Sequence, residues 1–122
     1  MKTLRVGLCG VGNVGGAVLK LLKESSDLLE QQGGFSFELI QVGARKGRSA
    51  IPYDDIEVKT NLMDVANNPD VDVLVELIGG TDVAKDLVMQ AISNGKHVVT
   101  ANKALIALHG DEVFSAAEQA GV

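Results

Sequence analysis

A glycine-rich segment near the amino terminus constrains the fold of this chain more than any other feature. A short apolar run at residues 4–9 leads directly into Gly10-Val11-Gly12-Asn13-Val14-Gly15, which has the pattern G-x-G-x-x-G. In this pattern the first glycine permits a tight strand-to-helix turn, the second admits a phosphate to the backbone, and the third lets helix and strand pack closely. Amide groups at the helix start then face the phosphate. The segment predicts a dinucleotide-binding turn, and a purely structural glycine turn is the alternative.

Length, charge and cysteine content narrow the class of protein. The chain has 122 residues, a formal net charge of −5 and one cysteine. This length predicts one domain and is short for a complete oxidoreductase, which usually needs a second region for its substrate. The acidic balance argues against nucleic-acid binding, and no apolar run is long enough to span a membrane. Cys9, expected to be a buried strand residue, cannot form an internal disulfide, so we expect a cytoplasmic protein.

Strands and helices alternate after the glycine turn, which predicts a doubly wound parallel α/β sheet of the Rossmann-like kind. We expect helices at about 13–31 and 62–67, a helix from Thr81 as N-cap to Gly95, and a helical tail broken near Gly110. We expect strands at about 35–44, 57–60, 71–78 and 96–100. The sequence stops where a further strand would begin. We therefore expect residues 1–122 to be the dinucleotide-binding domain of a longer enzyme, truncated before its catalytic domain.

Two of the predicted strands carry more detailed expectations. In the strand at 35–44, strict alternation would place Leu39 with Gln41 on one face and Ile40 with Val42 on the other. The strand at 71–78 is almost continuously apolar, which is typical of a parallel strand covered on both faces. Glu76 lies inside that apolar run, and we expect it to pair locally or to face a polar edge.

The end of the second strand indicates which dinucleotide binds. NAD sites usually place an acidic residue there to hold the ribose 2′-hydroxyl. This chain instead has Arg45, Lys46 and Arg48, followed by Ser49, and Glu38 lies too early to replace the acid. Three cations and a hydroxyl suit a 2′-phosphate, with Arg45 as the candidate for a bidentate contact. The pattern predicts NADP, with NAD possible, and a solvated basic loop is the alternative.

Three segments should meet beyond the carboxyl ends of the strands, where open α/β sheets bind ligands. The glycine turn would take the pyrophosphate. Gly79 and Gly80, which follow Ile78, would leave room for a nicotinamide ribose, or they serve only to start the next helix. The third segment is Thr100-Ala101-Asn102-Lys103.

Lys103 is the candidate catalytic residue, because its ammonium could bind a substrate oxygen or assist the proton transfer that accompanies hydride transfer. The alternative is a solvated lysine whose charge opposes the helix dipole. We expect structural or surface roles for His97 and His109. No group of cysteine and histidine residues has metal-ligand spacing, so we expect no metal site.

The segment 95–105, GKHVVTANKAL, closely resembles the homoserine dehydrogenase family, and residues 75–80, VELIGG, match the strand end that precedes it there. The likeness covers the whole chain. It implies the reversible reduction of aspartate 4-semialdehyde to homoserine by NADPH or NADH, on the route to threonine and methionine. It also implies that the turn from Gly10 to Gly15 binds the dinucleotide, that Arg45 meets the 2′-phosphate, that the segment from Thr100 to Asn102 lines the nicotinamide side, and that Lys103 lies between cofactor and substrate.

In that family a later domain holds the remaining substrate-binding groups, a monovalent-cation site and the main dimer interface. We therefore expect this chain to bind cofactor weakly and to turn over little by itself, and we expect a small-molecule substrate only in the full enzyme. We also expect a homo-oligomer, and we expect this chain by itself to self-associate through an exposed apolar sheet edge. Two alternatives remain: the first domain of a related enzyme such as aspartate dehydrogenase or dihydrodipicolinate reductase, and a non-catalytic dinucleotide sensor.

Overall fold

The computed structural model describes residues 2–24 and 31–122. The strands are β1 (Lys2–Cys9), β2 (Phe35–Gly43), β3 (Glu57–Lys59), β4 (Val73–Glu76) and β5 (His97–Thr100). The α-helices are α1 (Asn13–Glu24), α2 (Met63–Ala66), α3 (Asp82–Ser93) and α4 (Lys103–Ala120), and a short 3-10 helix (Gly47–Ala50) follows β2. The predicted first helix begins where expected, and residues 25–30 of that prediction lie outside the described residues.

The described strands form one parallel sheet in the order β3-β2-β1-β4-β5. The chain builds the sheet outward from β1 through β2 to β3, then crosses back and continues through β4 to β5. This arrangement confirms the predicted doubly wound α/β fold. The strand order reverses between β1 and β4, and a ligand crevice is expected just beyond their carboxyl ends.

The centre of the sheet is covered on both faces. Leu8 and Cys9 are neighbours on β1, and both are fully buried in different apolar clusters. The cluster around Leu8 lies against α1 and contains Leu8, Leu19, Val42, Ala44, Ile51 and Ile56. The cluster around Cys9 lies against α2 and α3 and contains Cys9, Leu62, Val65, Ala66, Val71, Leu74, Leu87 and Ala91. The predicted burial of Cys9 is therefore confirmed, and its thiol is free.

The expectation that the fourth strand is covered on both faces holds only in part. β4 is shorter than predicted, and along it Leu74 and Glu76 are buried while Val73 and Val75 are only half-buried. Val75 packs against the cluster around Leu8, but it stays half-buried because helix α1 packs mainly on β1 and β2. On the neighbouring strand Val99 is 55% exposed. The apolar run therefore predicted a strand correctly, but it did not indicate how fully the two faces of that strand are covered.

The expected side-chain alternation of β2 is wrong. Val6 of β1 pairs with Leu39, whereas the next residue, Gly7, pairs with Gln41, so the register shifts by one residue at Ile40. Leu39 and Val42 consequently pack together against the α1 side, while Ile40 packs on the opposite side. A bulge adds one residue to one strand and reverses the phase of every side chain beyond it.

Two expectations about helices need correction. Helix α4 runs through Gly110 without a break, and that glycine is buried. One interior glycine costs a helix about 1 kcal/mol, which packing of α4 on α3 through Leu105, Val113 and Val88 offsets. Thr81 precedes α3, but its side chain makes no capping hydrogen bond.

Among the described residues, no helix combines the length and apolar character that crossing a membrane requires.

Candidate dinucleotide-binding site

The glycine turn joins the end of β1 to the start of α1 in a conformation that excludes side chains at two positions. Gly10 has a φ of 99°, in the left-handed region that favours glycine. Its amide donates to the carbonyl of Gly43 at 3.0 Å, which ties the turn to the end of β2. A Cβ atom on Gly15 would lie 1.9 Å from the carbonyl oxygen of Gly10. The predicted roles of the first and third glycines, in the turn and in helix packing, are thus confirmed.

The second glycine of the motif has a different environment. A Cβ atom on Gly12 would meet no atom within 4 Å, and the residue is exposed. Packing within the described residues therefore does not require glycine at this position. An open backbone beside a helix start suits the close approach of an anionic group, and that open space fits a dinucleotide pyrophosphate.

A cleft of about 330 Å³ lies on the β2 side of the turn. It is bounded by the backbone at Gly10 and Gly12, by Arg45 and Lys46 beyond β2, and by the segment after β4. Arg45 is exposed and makes no hydrogen bond or ion pair with another described residue. Its guanidinium therefore keeps its donors for a ligand, as recognition of a phosphate requires. The structure brings both predicted cations to the glycine turn.

Arg48, the third cation of the basic loop, is bound internally. Its guanidinium donates to the carbonyl of Tyr53 at 3.0 Å and to the carbonyl of Ile56. These bonds close the loop between the 3-10 helix and β3. Arg48 is therefore a structural residue, and only Arg45 and Lys46 remain in the candidate site.

A second cleft, of about 300 Å³, lies on the β4 side of the glycine turn. Val14, Gly79, Ala101 and Lys103 contribute to its walls. Gly79 and Gly80 have φ values of 75° and 74°, so the backbone itself favours glycine at both positions. Cβ atoms there would meet nothing within 4 Å. Both interpretations of this glycine pair therefore remain consistent with the geometry, because a turn requires it and open space surrounds it.

A buried carboxylate connects the two segments that flank this second cleft. Glu76, at the end of β4, is fully buried. Its Oε1 atom accepts from the hydroxyl of Thr100 at 2.6 Å, and its Oε2 atom accepts from the amide of Ile78 at 2.9 Å. The Thr100 oxygen in turn accepts from the amide of Asn102 at 3.0 Å. The bond to Ile78 confirms the predicted local pairing of Glu76, and the bond to Thr100 adds a partner from the neighbouring strand.

Asn102 continues this network into the next helix. Its Oδ1 atom accepts from the amide of Leu105 at 3.0 Å and so caps α4. Its Nδ2 atom donates to the carbonyl of Gly80 at 2.5 Å. The side chain of Asn102, a predicted cofactor residue, is thus hydrogen-bonded to groups of the protein itself. The signal that was missed is local, since an asparagine directly before a helical segment is a common N-cap.

Lys103 is the first residue of α4 and is exposed at the edge of the second cleft. It forms no hydrogen bond or ion pair with another described residue. Its ammonium is therefore free to meet a ligand, and the predicted position beside the cleft agrees with the geometry. Its catalytic role stays a prediction.

Cys9 lies beneath this region, and its thiol is unreactive. Desolvation, with a smaller contribution from the negative charge of Glu76, raises the pKa of Cys9 to about 12. The thiolate is the nucleophilic form, so this buried thiol is unreactive near neutral pH.

The opposite end of the sheet contains a further cleft, of about 530 Å³, lined in part by Asp72, Lys96 and His97. Lys96 is 3% exposed and donates to the carbonyls of Asn68 and Val71 at 2.6 and 2.9 Å. Burial lowers the pKa of Lys96. Asp72 accepts from the guanidinium of Arg5 at 3.0 and 3.1 Å. Lys96 and Asp72 are thus bonded within the protein, and we assign the amino end of the sheet a structural role.

The two histidines lie away from the glycine turn. His97 is exposed at the start of β5, and His109 is half-buried within α4. Among the described residues, no three histidine, cysteine or acidic side chains come together as a metal site would require.

The strand order and the open glycine turn at the reversal point define a dinucleotide-binding α/β domain. Comparison with known proteins narrows this class. A family model described as the homoserine dehydrogenase NAD-binding domain matches residues 10–122, and the chain belongs to that family. The resemblance carried by residues 75–80 and 95–105 is thereby confirmed.

Relatives of known name and structure agree with this assignment. The chain is 45% identical over 122 residues to the homoserine dehydrogenase of Pseudomonas aeruginosa, covering 100% of this chain and 28% of the relative. It is 37% identical to that of Bacillus subtilis, covering 99% of this chain and 28% of the relative. The crystal structure of a homoserine dehydrogenase from Thiobacillus denitrificans superposes with a TM-score of 0.90 and 42% identity, covering 100% of this chain and 28% of that chain. The chain thus spans 28% of the length of these relatives.

A more distant neighbour shares the fold. A hyperthermophilic archaeal homoserine dehydrogenase, solved in complex with NADPH, has a TM-score of 0.79 at 22% identity, covering 98% of this chain and 42% of that chain.

Proposed function

We propose that residues 1–122 form the cofactor-binding domain of a homoserine dehydrogenase, an oxidoreductase that interconverts L-homoserine and L-aspartate 4-semialdehyde in threonine and methionine biosynthesis. The observation that carries this proposal is the glycine turn, open at Gly12 and placed where the strand order reverses, in a chain of this family. The small-molecule substrate would be held mainly by groups outside these residues, since the relatives are more than three times as long.

The site residues divide by position. Gly10, Gly12, Asn13, Val14 and Gly15 form the turn and helix start that would hold the pyrophosphate, as the fingerprint predicts. Arg45 and Lys46 would hold the adenosine ribose phosphate, which favours NADP over NAD. The residues that would surround the nicotinamide half are Ile78, Gly79, Gly80, Thr100, Ala101 and Asn102. Of these, Gly79, Ala101 and Asn102 line the second cleft.

A bound nicotinamide supplies or accepts the hydride in this reaction. The role of the protein is to orient that ring and to place a proton donor or acceptor beside the substrate oxygen. Lys103 fits the second task, because its ammonium is exposed at the edge of the nicotinamide-side cleft.

The free, buried thiol of Cys9 suits a reducing compartment, and we propose the cytoplasm. A homo-oligomer remains part of this proposal.

Titration calorimetry with NADPH and with NADH tests the cofactor assignment. We expect NADPH to bind more tightly, and we expect Arg45→Ala to weaken NADPH roughly tenfold or more while leaving NADH unchanged, because a charge-assisted hydrogen bond contributes about 1.5–3 kcal/mol. Lys20→Ala is the charge-matched control, since Lys20 is exposed on α1 away from both clefts. Equal loss in both variants would reduce the effect to net charge, and equal affinity of the unaltered chain for both cofactors would refute the NADP preference.

A further inference from the structure

Glu76 makes hydrogen bonds that no sequence motif required. It is a fully buried carboxylate, and its two oxygen atoms bond to two different segments of the chain. One segment, 78–80, follows β4, and the other, 100–102, follows β5. Both segments form walls of the nicotinamide-side cleft. Glu76 therefore connects these two walls through its two hydrogen bonds.

We propose that Glu76 is a positioning residue that sets the nicotinamide half of the site, while the adenosine half depends on it less. This inference rests on the proposed function, since it assigns the two clefts to the two halves of one dinucleotide. Glu76 acts through the amide of Ile78 and the hydroxyl of Thr100, and Asn102 extends the connection to the carbonyl of Gly80.

The chemistry of the network requires an acceptor at both oxygens. The Ile78 amide can only donate, and the Thr100 hydroxyl donates to Glu76 while its oxygen accepts from Asn102. A carboxylate accepts at both ends and matches this arrangement. A glutamine side chain has the same shape but presents an amide donor at one end. It must therefore lose the bond to Ile78 or force the Thr100 hydroxyl to turn away.

The adenosine-side cleft is held by different bonds. The Gly10 amide donates to the Gly43 carbonyl, and the amide of Ala44 donates to the carbonyl of Lys59 at 2.9 Å. These contacts connect β1, β2 and β3, whereas the Glu76 network connects β4, β5 and α4. Ile78 also lines the adenosine-side cleft, but the glycine turn and the basic loop of that cleft keep their own bonds. Loss of the network should therefore disturb the nicotinamide half more than the adenosine half.

The test compares two ligands on the same chain: NADPH, and 2′-phospho-ADP-ribose, which retains the adenosine half and the pyrophosphate but lacks nicotinamide. In Glu76→Gln we expect the affinity for NADPH to fall roughly tenfold or more, because two ordered loops lose a buried connection. The affinity for 2′-phospho-ADP-ribose should stay within about twofold, since the bonds of the adenosine half are kept. Thr100→Val should reproduce this pattern, and Thr100→Ser should restore the original affinities because it keeps the hydroxyl.

Amide hydrogen exchange supplies a second readout without ligand. Exchange of the Ile78 and Asn102 amides should accelerate in Glu76→Gln and in Thr100→Val, while the Gly10 amide stays protected. Lys96→Met is the matched control, because it removes the buried charge at the other end of the same strands and should change neither affinity.

The outcomes separate this inference from the proposed function. A fall in the affinity of both ligands alike, or of neither, in Glu76→Gln would overturn the positioning role alone. An unaltered chain that binds neither ligand would overturn the proposed function and this inference together.

Discussion

Glu76 and Lys96 are two buried charges at opposite ends of the same pair of strands. Glu76 ends β4, and Lys96 immediately precedes β5. Lys96 donates to the backbone carbonyls of Asn68 and Val71, both in the loop that leads into β4. Glu76 bonds instead to two segments that continue beyond the sheet into the candidate site. Lys96 closes one loop, whereas Glu76 connects two loops that a ligand would contact.

The difference shows how a doubly wound sheet separates stability from function. Near the amino ends of β4 and β5, Asp72 is bonded to Arg5 and Lys96 is bonded to backbone carbonyls. At the carboxyl ends, Arg45 and Lys103 are exposed without described partners, and the turn at Gly12 is open. Substitutions at the carboxyl ends should therefore change ligand binding, and substitutions at the amino ends should change stability alone.

The largest expected effect comes from two glycines of the same turn. Gly15→Ala places a Cβ atom against the carbonyl of Gly10 and should lower the free energy of unfolding by about 3 kcal/mol. The displaced helix should also lose cofactor binding. Gly12→Ala meets no atom and should stay within about 0.5 kcal/mol of the unaltered stability. It should nevertheless weaken NADPH, since the added methyl group occupies the space that a pyrophosphate would approach.

Urea denaturation and calorimetric titration of both variants measure this contrast. A Gly12→Ala chain that binds NADPH as tightly as the original would remove the pyrophosphate from this turn and leave the fingerprint with a structural role.

The next effect concerns the amino end of the sheet. Lys96→Met keeps the apolar stem but leaves two backbone carbonyls without their donor, so we expect a loss of about 2 kcal/mol in the free energy of unfolding. The affinity for NADPH should not change, because neither candidate cleft contains Lys96. Denaturation curves and titrations of this variant give the two quantities. A weakened affinity would contradict this expectation and show that the two ends of the sheet are coupled.

The last effect is zero at neutral pH and grows only under alkaline conditions, where it reports the burial of Cys9. Since the pKa of Cys9 is raised from 9.0 to about 12, the thiol stays protonated in the folded chain while it ionises in the unfolded chain. Its contribution to stability is complete below pH 9 and is lost as the pH rises toward 12. The loss should reach about 1.4 kcal/mol per pH unit within this window.

Unfolding free energies of the original chain and of Cys9→Ala, measured from pH 8 upward, isolate this contribution. The difference between the two chains should narrow as the pH rises. A constant difference would mean that the thiol ionises equally in both states and that Cys9 is not as enclosed as its position in the core indicates.

Particular residues show how far sequence reasoning extends. The glycine spacing predicted the turn, since the required backbone conformation at Gly10 and the close packing at Gly15 leave few other residue types acceptable. The alternation of elements predicted the parallel sheet. The bulge at Ile40 was missed, because a register shift depends on the facing strand rather than on the pattern of β2 itself. The role of Arg48 was also missed, since its charge is visible in the sequence but its carbonyl partners are not.

The sequence by itself determined the order of strands and helices, the glycine turn and the family, because these depend on local spacing and on short motifs. Only the tertiary structure decided which charged residues are free and which are bound within the protein. Arg45 and Arg48 are three residues apart and chemically identical, yet one is exposed beside a cleft and the other holds a loop. The reason is physical: a side chain's partners are set by distances between segments remote in the chain, and folding alone brings those segments together.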